Sequence, residues 1–240
     1  MKALLLAAGL GTRLRPITDT IPKCLVLING KPLLEIWLER LLNIGVNEFL
    51  INTHYLHEEV EKFVLNSPYK DKITLVYEEK LLGTGGSILK NKDFFNGFDS
   101  FWVIHADNYS ICDYNQFRKS HYTKPKNTIM TMMTFSTDSP KSCGIVELDK
   151  QGIVIGFYEK VHNPPSNLAN GAVYIFDKEI LVLLESLNKE IIDLSTEVLP
   201  KMLGKIYTFH NNKIHIDIGT VKNLEIANHI ACCEGSCFEK

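Results

Sequence analysis

The chain has 240 residues, 45% of them hydrophobic, and its 26 basic and 28 acidic residues leave a formal net charge of -2. That length and apolar content can bury a sizeable core as one domain. The near-neutral balance argues against a nucleic acid or an anionic membrane as partner, and no apolar run approaches the ~20 residues needed to cross a bilayer.

In chain order, Ala3 to Ala8 is a short apolar run bounded by glycine, which reads as a buried strand. The start resembles a secretory leader, but its apolar core is short and runs straight into Gly11-Thr12-Arg13 without a cleavage site. Leu25 to Ile28 is another apolar run, closed by the turn pair Asn29-Gly30. Pro32 opens a helix in which Leu33, Leu34, Trp37, Leu38, Leu41 and Leu42 recur at helical spacing, and Gly45 ends it. Phe49 to Asn52 reads as a strand, Glu58 to Leu65 as a polar-faced helix and Ile73 to Tyr77 as a strand. A helix is expected from Ser87, then a strand from Phe101 to Ala106 that ends at Asp107. Alternating strands and helices of this kind make a largely parallel sheet wound in βαβ units.

From Thr128 the pattern turns strand-rich: Thr128–Phe135, Gly144–Leu148, Ile153–Tyr158 and Ala172–Phe176, with a hairpin turn at Lys150-Gln151-Gly152. Helices are expected from about Asp177 and Asp193, each aspartate placed as an N-cap. A last strand, Lys213 to Ile216, leads to Asp217-Ile218-Gly219-Thr220, and Thr220 can cap a final helix. No linker, repeat or low-complexity stretch interrupts the chain. The six cysteines show no even framework, and reduced thiols in a cytoplasm are the expectation. Cys232, Cys233 and Cys237 beside His229 lack paired CxxC spacing, so the last residues read as a frayed tail rather than a zinc site.

The chemistry concentrates in the first 23 residues. Gly9 and Gly11 follow the first strand, and Arg13, Arg15 and Lys23 follow the glycines. Glycine lets backbone N–H groups approach an anion, and three nearby cations suit a ligand carrying several phosphates. A dinucleotide fingerprint would need glycine where Leu14 stands, and a Walker loop would need Gly-Lys-Ser/Thr where Gly11-Thr12-Arg13 stands. Ligands of parallel sheets gather at the carboxyl ends of strands, which is where Gly9–Arg13, Gly83–Gly86 and Asp107 are expected. Asp107 and Asp217 each end a strand, and two such carboxylates facing a cationic loop suit Mg2+, which takes one or two carboxylates besides phosphate and water oxygens.

The stretch LAAGLGTRLRPIT…PKCLV resembles the signature of the sugar-phosphate nucleotidyltransferases, and the likeness runs from Lys2 to about Ala227. Within that family the chain is similar to short guanylyl- and uridylyltransferases that act on mannose, heptose or related sugar 1-phosphates. The resemblance implies an α/β fold, a Rossmann-like, mixed, mostly parallel sheet flanked by helices with a small strand-rich extension at the sugar site. It implies one domain over 1–240: a nucleotide-binding part over 1–119, a sugar-phosphate part with closing helices over about 120–227, and a tail over 228–240.

It also implies roles. Leu6, Ala7, Ala8, Gly9, Gly11, Thr12, Glu78, Gly83 and Thr84 would bind the nucleotide. Arg13 would stabilise the departing β- and γ-phosphates, Lys23 the α-phosphate under attack, and Asp107 with Asp217 would hold Mg2+. Asn108, Gly144, Glu159, Lys160 and Asn170 would contact the sugar phosphate. Departures from the family pattern are Ala106 for a glycine, Val161 for a proline, Ala172 for a glycine and His215 for a tryptophan.

An acceptor-only carboxylate at Glu78 pairs with the two adjacent N–H donors of guanine, which favours GTP over UTP, CTP or dTTP. The expected reaction joins an NTP to a sugar 1-phosphate, giving an NDP-sugar and pyrophosphate. Other acceptor phosphates and a homo-oligomer stay open at this point. A silent nucleotide-sugar regulator would lack Arg13, Lys23 or an aspartate. A glycosyltransferase would carry Asp-x-Asp where Asp107-Asn108-Tyr109 stands.

Overall fold

The computed structural model describes the backbone of residues 1–237 and side chains through residue 233. Its strands are β1 (Lys2–Leu6), β2 (Leu27–Ile28), β3 (Lys31–Pro32), β4 (Glu48–Thr53), β5 (Ile73–Tyr77), β6 (Ser100–His105), β7 (Asn108–Ile111), β8 (Met130–Ser136), β9 (Gly144–Leu148), β10 (Val154–Glu159), β11 (Leu168–Asp177), β12 (Ile206–His210) and β13 (Ile214–Asp217). The helices are α1 (Leu33–Leu42), α2 (His57–Asn66), α3 (Gly83–Lys90), α4 (Tyr114–Tyr122), α5 (Ile180–Ser186) and α6 (Val221–Cys237). This is the expected α/β class, a mixed sheet flanked by helices. The chain forms two compact units, each assembled from separate stretches of sequence.

The first unit comprises residues 1–4, 81–104 and 112–213. Its axis is β11, which pairs antiparallel with β6 and β8 and, through Ala169 and Ile145, with β9. β9 pairs antiparallel with β10, and β12 runs parallel to β8. The run Phe101-Trp102-Val103-Ile104 is wholly buried, as expected of a strand covered on both faces. Phe101 stacks on Phe95 with centroids 3.8 Å apart, and Trp102 meets the Phe117 ring edge-on at 5.2 Å. β11 carries a bulge between Asn170 and Tyr174. At its centre Ala172 has φ +52°, and its N–H donates to Asn170 Oδ1 at 2.9 Å. That backbone conformation favours glycine, which accounts for the glycine usual at this point of the motif.

The second unit comprises residues 5–80, 105–111 and 214–240. β4 and β5 pair in parallel, Phe49 opposite Ile73 through Thr53 opposite Tyr77. β2 and β3 make a hairpin whose two turn residues, Asn29 and Gly30, both have positive φ, the geometry that an Asn-Gly turn supplies. α1 buries Leu33, Leu34, Trp37, Leu38 and Leu41 completely, so its apolar stripe is core. β7 pairs antiparallel with β13, Ile214 opposite Ile111 through Asp217 opposite Asn108.

Several expectations change. β7, α4 and β12 go beyond the elements read from sequence. α3 begins at Gly83, four residues before Ser87, because Gly85 and Gly86 both donate N–H bonds to Ile192 O and so have partners at the helix start. Asp177 does not cap α5. Its carboxylate is taken by His121 Nε2 at 3.0 Å and Lys124 Nζ at 2.9 Å, and α5 starts after Glu179 with no side-chain cap. Asp193 does cap, accepting Thr196 N–H at 2.9 Å, but the turn it opens, Leu194–Val198, is a π-helix. Thr220 accepts Asn223 N–H at 3.2 Å as expected. The stretch expected as a frayed tail from 228 continues α6 as far as Cys237, and the rest lies outside the described residues.

Two predictions rest on the first unit. Ala172→Gly relieves the left-handed strain in the bulge and should raise stability by up to about 1 kcal/mol in chemical denaturation. Burial lowers the pKa of His121 below its usual 6.5, outweighing its bond to Asp177, while Lys124 adds to the lowering. A folded histidine that resists protonation makes stability fall as pH drops below about 6.5, because the unfolded chain takes up the proton more readily. His121→Gln should flatten that part of the stability–pH curve.

Candidate active site

Four of the expected site residues meet in the second unit. β1 ends at Leu6, and Ala106 N–H donates to Leu6 O at 3.0 Å, which carries the start of the 106–107 turn to the end of the first strand. The β7–β13 ladder sets Asp217 opposite Asn108, and Ile218 N–H donates to Asp107 O at 3.0 Å. Asp107 and Asp217, 110 positions apart in sequence, are thereby adjacent. Lys23 opens a short 3-10 turn after the extended Pro22, and its side chain is only 8% exposed. Lys23 Nζ donates to Asp107 Oδ2 at 2.6 Å and to Asp217 Oδ1 at 2.9 Å. Arg13, far more exposed, reaches the other oxygen of Asp217 at 3.1 Å.

Charge explains the stability of this group. Burial alone would lower the Lys23 pKa, but the Asp107 and Asp217 carboxylates outweigh it and raise it above its usual value. Burial alone would raise Asp107, but the Lys23 ammonium, helped by His105, brings it below the ordinary carboxylate value. Lys23 and Asp107 thus hold each other in their charged forms at neutral pH. Burial holds His215 neutral, with its pKa lowered to about 4 despite the nearby aspartates. Burial pushes the thiol of Cys24 up to about 12, so it is no nucleophile.

Two glycines of the site have steric reasons. Gly11 has φ +63°, and a Cβ there would lie 2.9 Å from Thr18 Cγ2. Thr18 Oγ1 donates to Gly11 O at 2.7 Å, and Leu14 N–H donates to the same oxygen at 3.0 Å, which fixes the turn. A Cβ on Gly219 would meet Asp217 Oδ2 at 2.6 Å and the Arg13 guanidinium at 2.9 Å, so this glycine makes room for their ion pair. At Gly9 a Cβ would meet nothing within 4 Å, so the chain's own packing makes no demand there.

Glu78 is 5% exposed and sits in the same unit, at the end of β5. Asn52 Nδ2 donates to its Oε1 at 2.9 Å. Asn108 is also buried; its carbonyl accepts the Trp37 indole N–H at 2.7 Å and its amide lies 3.4 Å from His105 O. Leu6, Ala7, Ala8 and Thr12 lie along β1 and the turn that follows it.

The remaining expected residues belong to the first unit. A Cβ on Gly83, Gly85 or Gly86 would run into the Glu190–Ile192 stretch, at 2.5 Å from Ile192 O for Gly83 and 2.5 Å from Glu190 O for Gly86. Thr84 Oγ1 accepts Leu194 N–H at 2.8 Å and lies 3.4 Å from Asp193 Oδ2. Gly83, expected at the nucleotide, is therefore a glycine first because of this internal clasp, as are Gly85 and Gly86. On β9 and β10, Gly144 faces Glu159 in register, and a Cβ at 144 would lie 2.6 Å from Glu159 Oε2. Glu159 Oε1 pairs with Lys160 Nζ at 3.2 Å, and Lys160 has φ +48°. Asn170 Nδ2 donates to the buried Tyr174 hydroxyl at 2.7 Å while its Oδ1 holds Ala172 N–H, so its amide is fixed at both ends.

The donor set fits a divalent cation. Two carboxylates already converge on one ammonium, which occupies the place of a cation between them, and Mg2+ needs no more than one or two protein carboxylates. Among the described residues there is no group of three or more His, Cys, Asp and Glu that could hold a metal. Also among them, no helix is long and apolar enough to cross a membrane.

The sequence and the fold are each similar to those of known proteins. The chain is 32% identical over 237 residues to a UTP--glucose-1-phosphate uridylyltransferase of Synechocystis, covering 92% of this chain and 61% of that protein. It is 30% identical to the mannose-1-phosphate guanylyltransferase catalytic subunit beta of Dictyostelium discoideum, covering 93% of this chain and 62% of that one. It thus spans about three-fifths of the length of these relatives. A crystal structure of HddC from Yersinia pseudotuberculosis complexed with GMP-PN superposes with a TM-score of 0.79 at 27% identity, over 96% of this chain and 99% of that one. Residues 2–232 match the family model described as nucleotidyl transferase, and with the site geometry above, the chain belongs to that family.

Proposed function

We propose that the protein is a sugar-1-phosphate nucleotidyltransferase, joining an NTP to a sugar 1-phosphate with release of pyrophosphate. The observation that carries the reading is the convergence of Asp107 and Asp217 on Lys23, with Arg13 on Asp217, beside the turn at Gly11. GTP is the favoured nucleotide. The acceptor-only carboxylate of Glu78 supports this choice, as do the guanylyltransferase relative and the HddC structure with GMP-PN. The uridylyltransferase relative supports UTP as the second reading.

In the reaction the phosphate oxygen of the sugar 1-phosphate attacks the α-phosphorus, and the bond from that phosphorus to the β-phosphate oxygen breaks. The attacking group is already an anion, so no general base or covalent nucleophile is needed. Catalysis rests on positioning and charge stabilisation. Arg13, exposed and forked, binds the β- and γ-phosphates and stabilises the charge that leaves with pyrophosphate. Lys23 donates to the α-phosphate. Asp107 and Asp217 would hold Mg2+, whose contribution when bound is to neutralise phosphate charge. In the free protein each of these groups is satisfied by an opposite charge of the chain, so substrate exchanges one set of ion pairs for another and leaves no charge bare. Gly144, Glu159, Lys160 and Asn170, with Asn108, are assigned to the sugar phosphate: Glu159 accepts hydroxyl protons and Lys160 pairs with the phosphate.

A pyrophosphate-release assay of the five common NTPs against a panel of sugar 1-phosphates tests the reading, and turnover with GTP and a hexose 1-phosphate is expected. Arg13→Ala should lower kcat/KM by about 10²–10³-fold without a change in thermal stability. Parental turnover in that variant would remove Arg13 from the mechanism. Excess chelator should bring turnover to background, and activity that survives it would exclude the Mg2+ assignment.

A further inference from the structure

Three consecutive residues at the end of β4 grip a single residue after β5. Glu78 N–H donates to Thr53 O at 2.8 Å, His54 Nδ1 lies 2.7 Å from Glu78 O, and Asn52 Nδ2 donates to Glu78 Oε1 at 2.9 Å. At its other end, Asn52 Oδ1 accepts the N–H of Ala7 at 2.9 Å. Asn52 is 2% exposed.

Neither the parallel pairing of β4 with β5 nor the core requires a polar side chain at position 52. The ladder uses backbone groups alone, and the neighbours Leu50 and Ile51 show that apolar residues fill this strand. Burying an amide and a carboxylate together carries a desolvation cost that an apolar residue would avoid. What the amide supplies is orientation. With its carbonyl oxygen and its NH2 group both engaged, it has a single setting, and it fixes the rotamer of Glu78 relative to the backbone at Ala7.

We propose that Asn52 is a positioning residue for nucleobase selection: it presents the Glu78 carboxylate to the base and ties it to the start of the phosphate turn. The inference rests on the assignment of Glu78 to the base made above. Both ends of the Asn52 amide are engaged by the chain itself, at Ala7 and at Glu78, so its loss acts on base discrimination rather than on the chemical step.

The test compares the parental protein with Asn52→Asp and Asn52→Leu. The second, similar in size, offers neither an acceptor to Ala7 N–H nor a donor to Glu78 and decides the test; the first keeps the acceptor but sets a carboxyl group against Glu78, where the two repel or share one proton. Kd values for GTP and UTP by calorimetry, and kcat and KM in pyrophosphate release, are measured on protein whose thermal unfolding is cooperative. The expected result is a fall of about tenfold or more in the GTP-to-UTP ratio, carried by Kd and KM for GTP with kcat nearly unchanged. In a Glu78→Gln background, Asn52→Leu should leave the ratio where Glu78→Gln alone sets it.

An Asn52→Leu protein that weakens both nucleotides alike, or keeps the parental ratio, overturns the inference. A parental protein with no base preference overturns the inference together with the guanine reading of Glu78, and one that prefers another base overturns the guanine reading alone. In that last case the positioning role is decided by whether the observed preference survives Asn52→Leu.

Discussion

One ammonium holds the second unit's chemistry together. Lys23 Nζ lies between two carboxylates that come from positions 84 and 194 residues further along the chain. Two neighbouring carboxylates repel and would drive one another to take up a proton. A buried lysine without partners would shed its own. Lys23 and Asp107 each stay charged because the other is, and the ion pairs of Lys23 keep a strongly polar cluster assembled. The same mutual dependence makes the cluster responsive, since any incoming polyanion competes for the cations and any incoming cation for the carboxylates.

Much of this was legible in the chain. The first strand, the α1 stripe, the Asn29-Gly30 hairpin, β5 and β9 follow from apolar spacing and turn chemistry, and the glycine turn with Arg13 and Lys23 stands out as a cationic cluster. What sequence could not show is how Asp107 and Asp217 come together. That depends on β7 pairing with β13, a four-residue ladder between segments whose mixed residues carry no clean alternation. α4 was equally hidden, because its few apolar positions are spread among Gln, Arg, Lys, Ser and His. Its one strong signal is Asp113, which accepts the N–H of Gln116 as an N-cap. Asp177 misled for the opposite reason. An aspartate before an apolar run looks like a cap, but a buried histidine and a lysine bind it more strongly than the free N–H groups of a two-turn helix.

The first unit shows a second way in which packing and motif coincide. Gly83, Gly85 and Gly86 are glycines because Glu190–Ile192 lies where their side chains would be, and Gly144 is one because the Glu159 carboxylate fills that space. In the sequence Asn52 reads only as part of a strand, since a single asparagine in an apolar run gives no pattern. Its partners, Ala7 and Glu78, are distant in sequence and are joined only by the fold. Ala172 marks a different case, a site where this chain tolerates a strained backbone that the usual glycine would relax.

The chain has only two tryptophans, and each compact unit holds one, both fully buried. Trp37 donates its indole proton to the carbonyl of Asn108, the residue after Asp107, whereas Trp102 lies in the aromatic cluster of the other unit. Intrinsic fluorescence is therefore divided by architecture into two reporters. A chain with Trp102 replaced by phenylalanine emits from beside the carboxylate pair alone, and one with Trp37 replaced emits from the aromatic core alone.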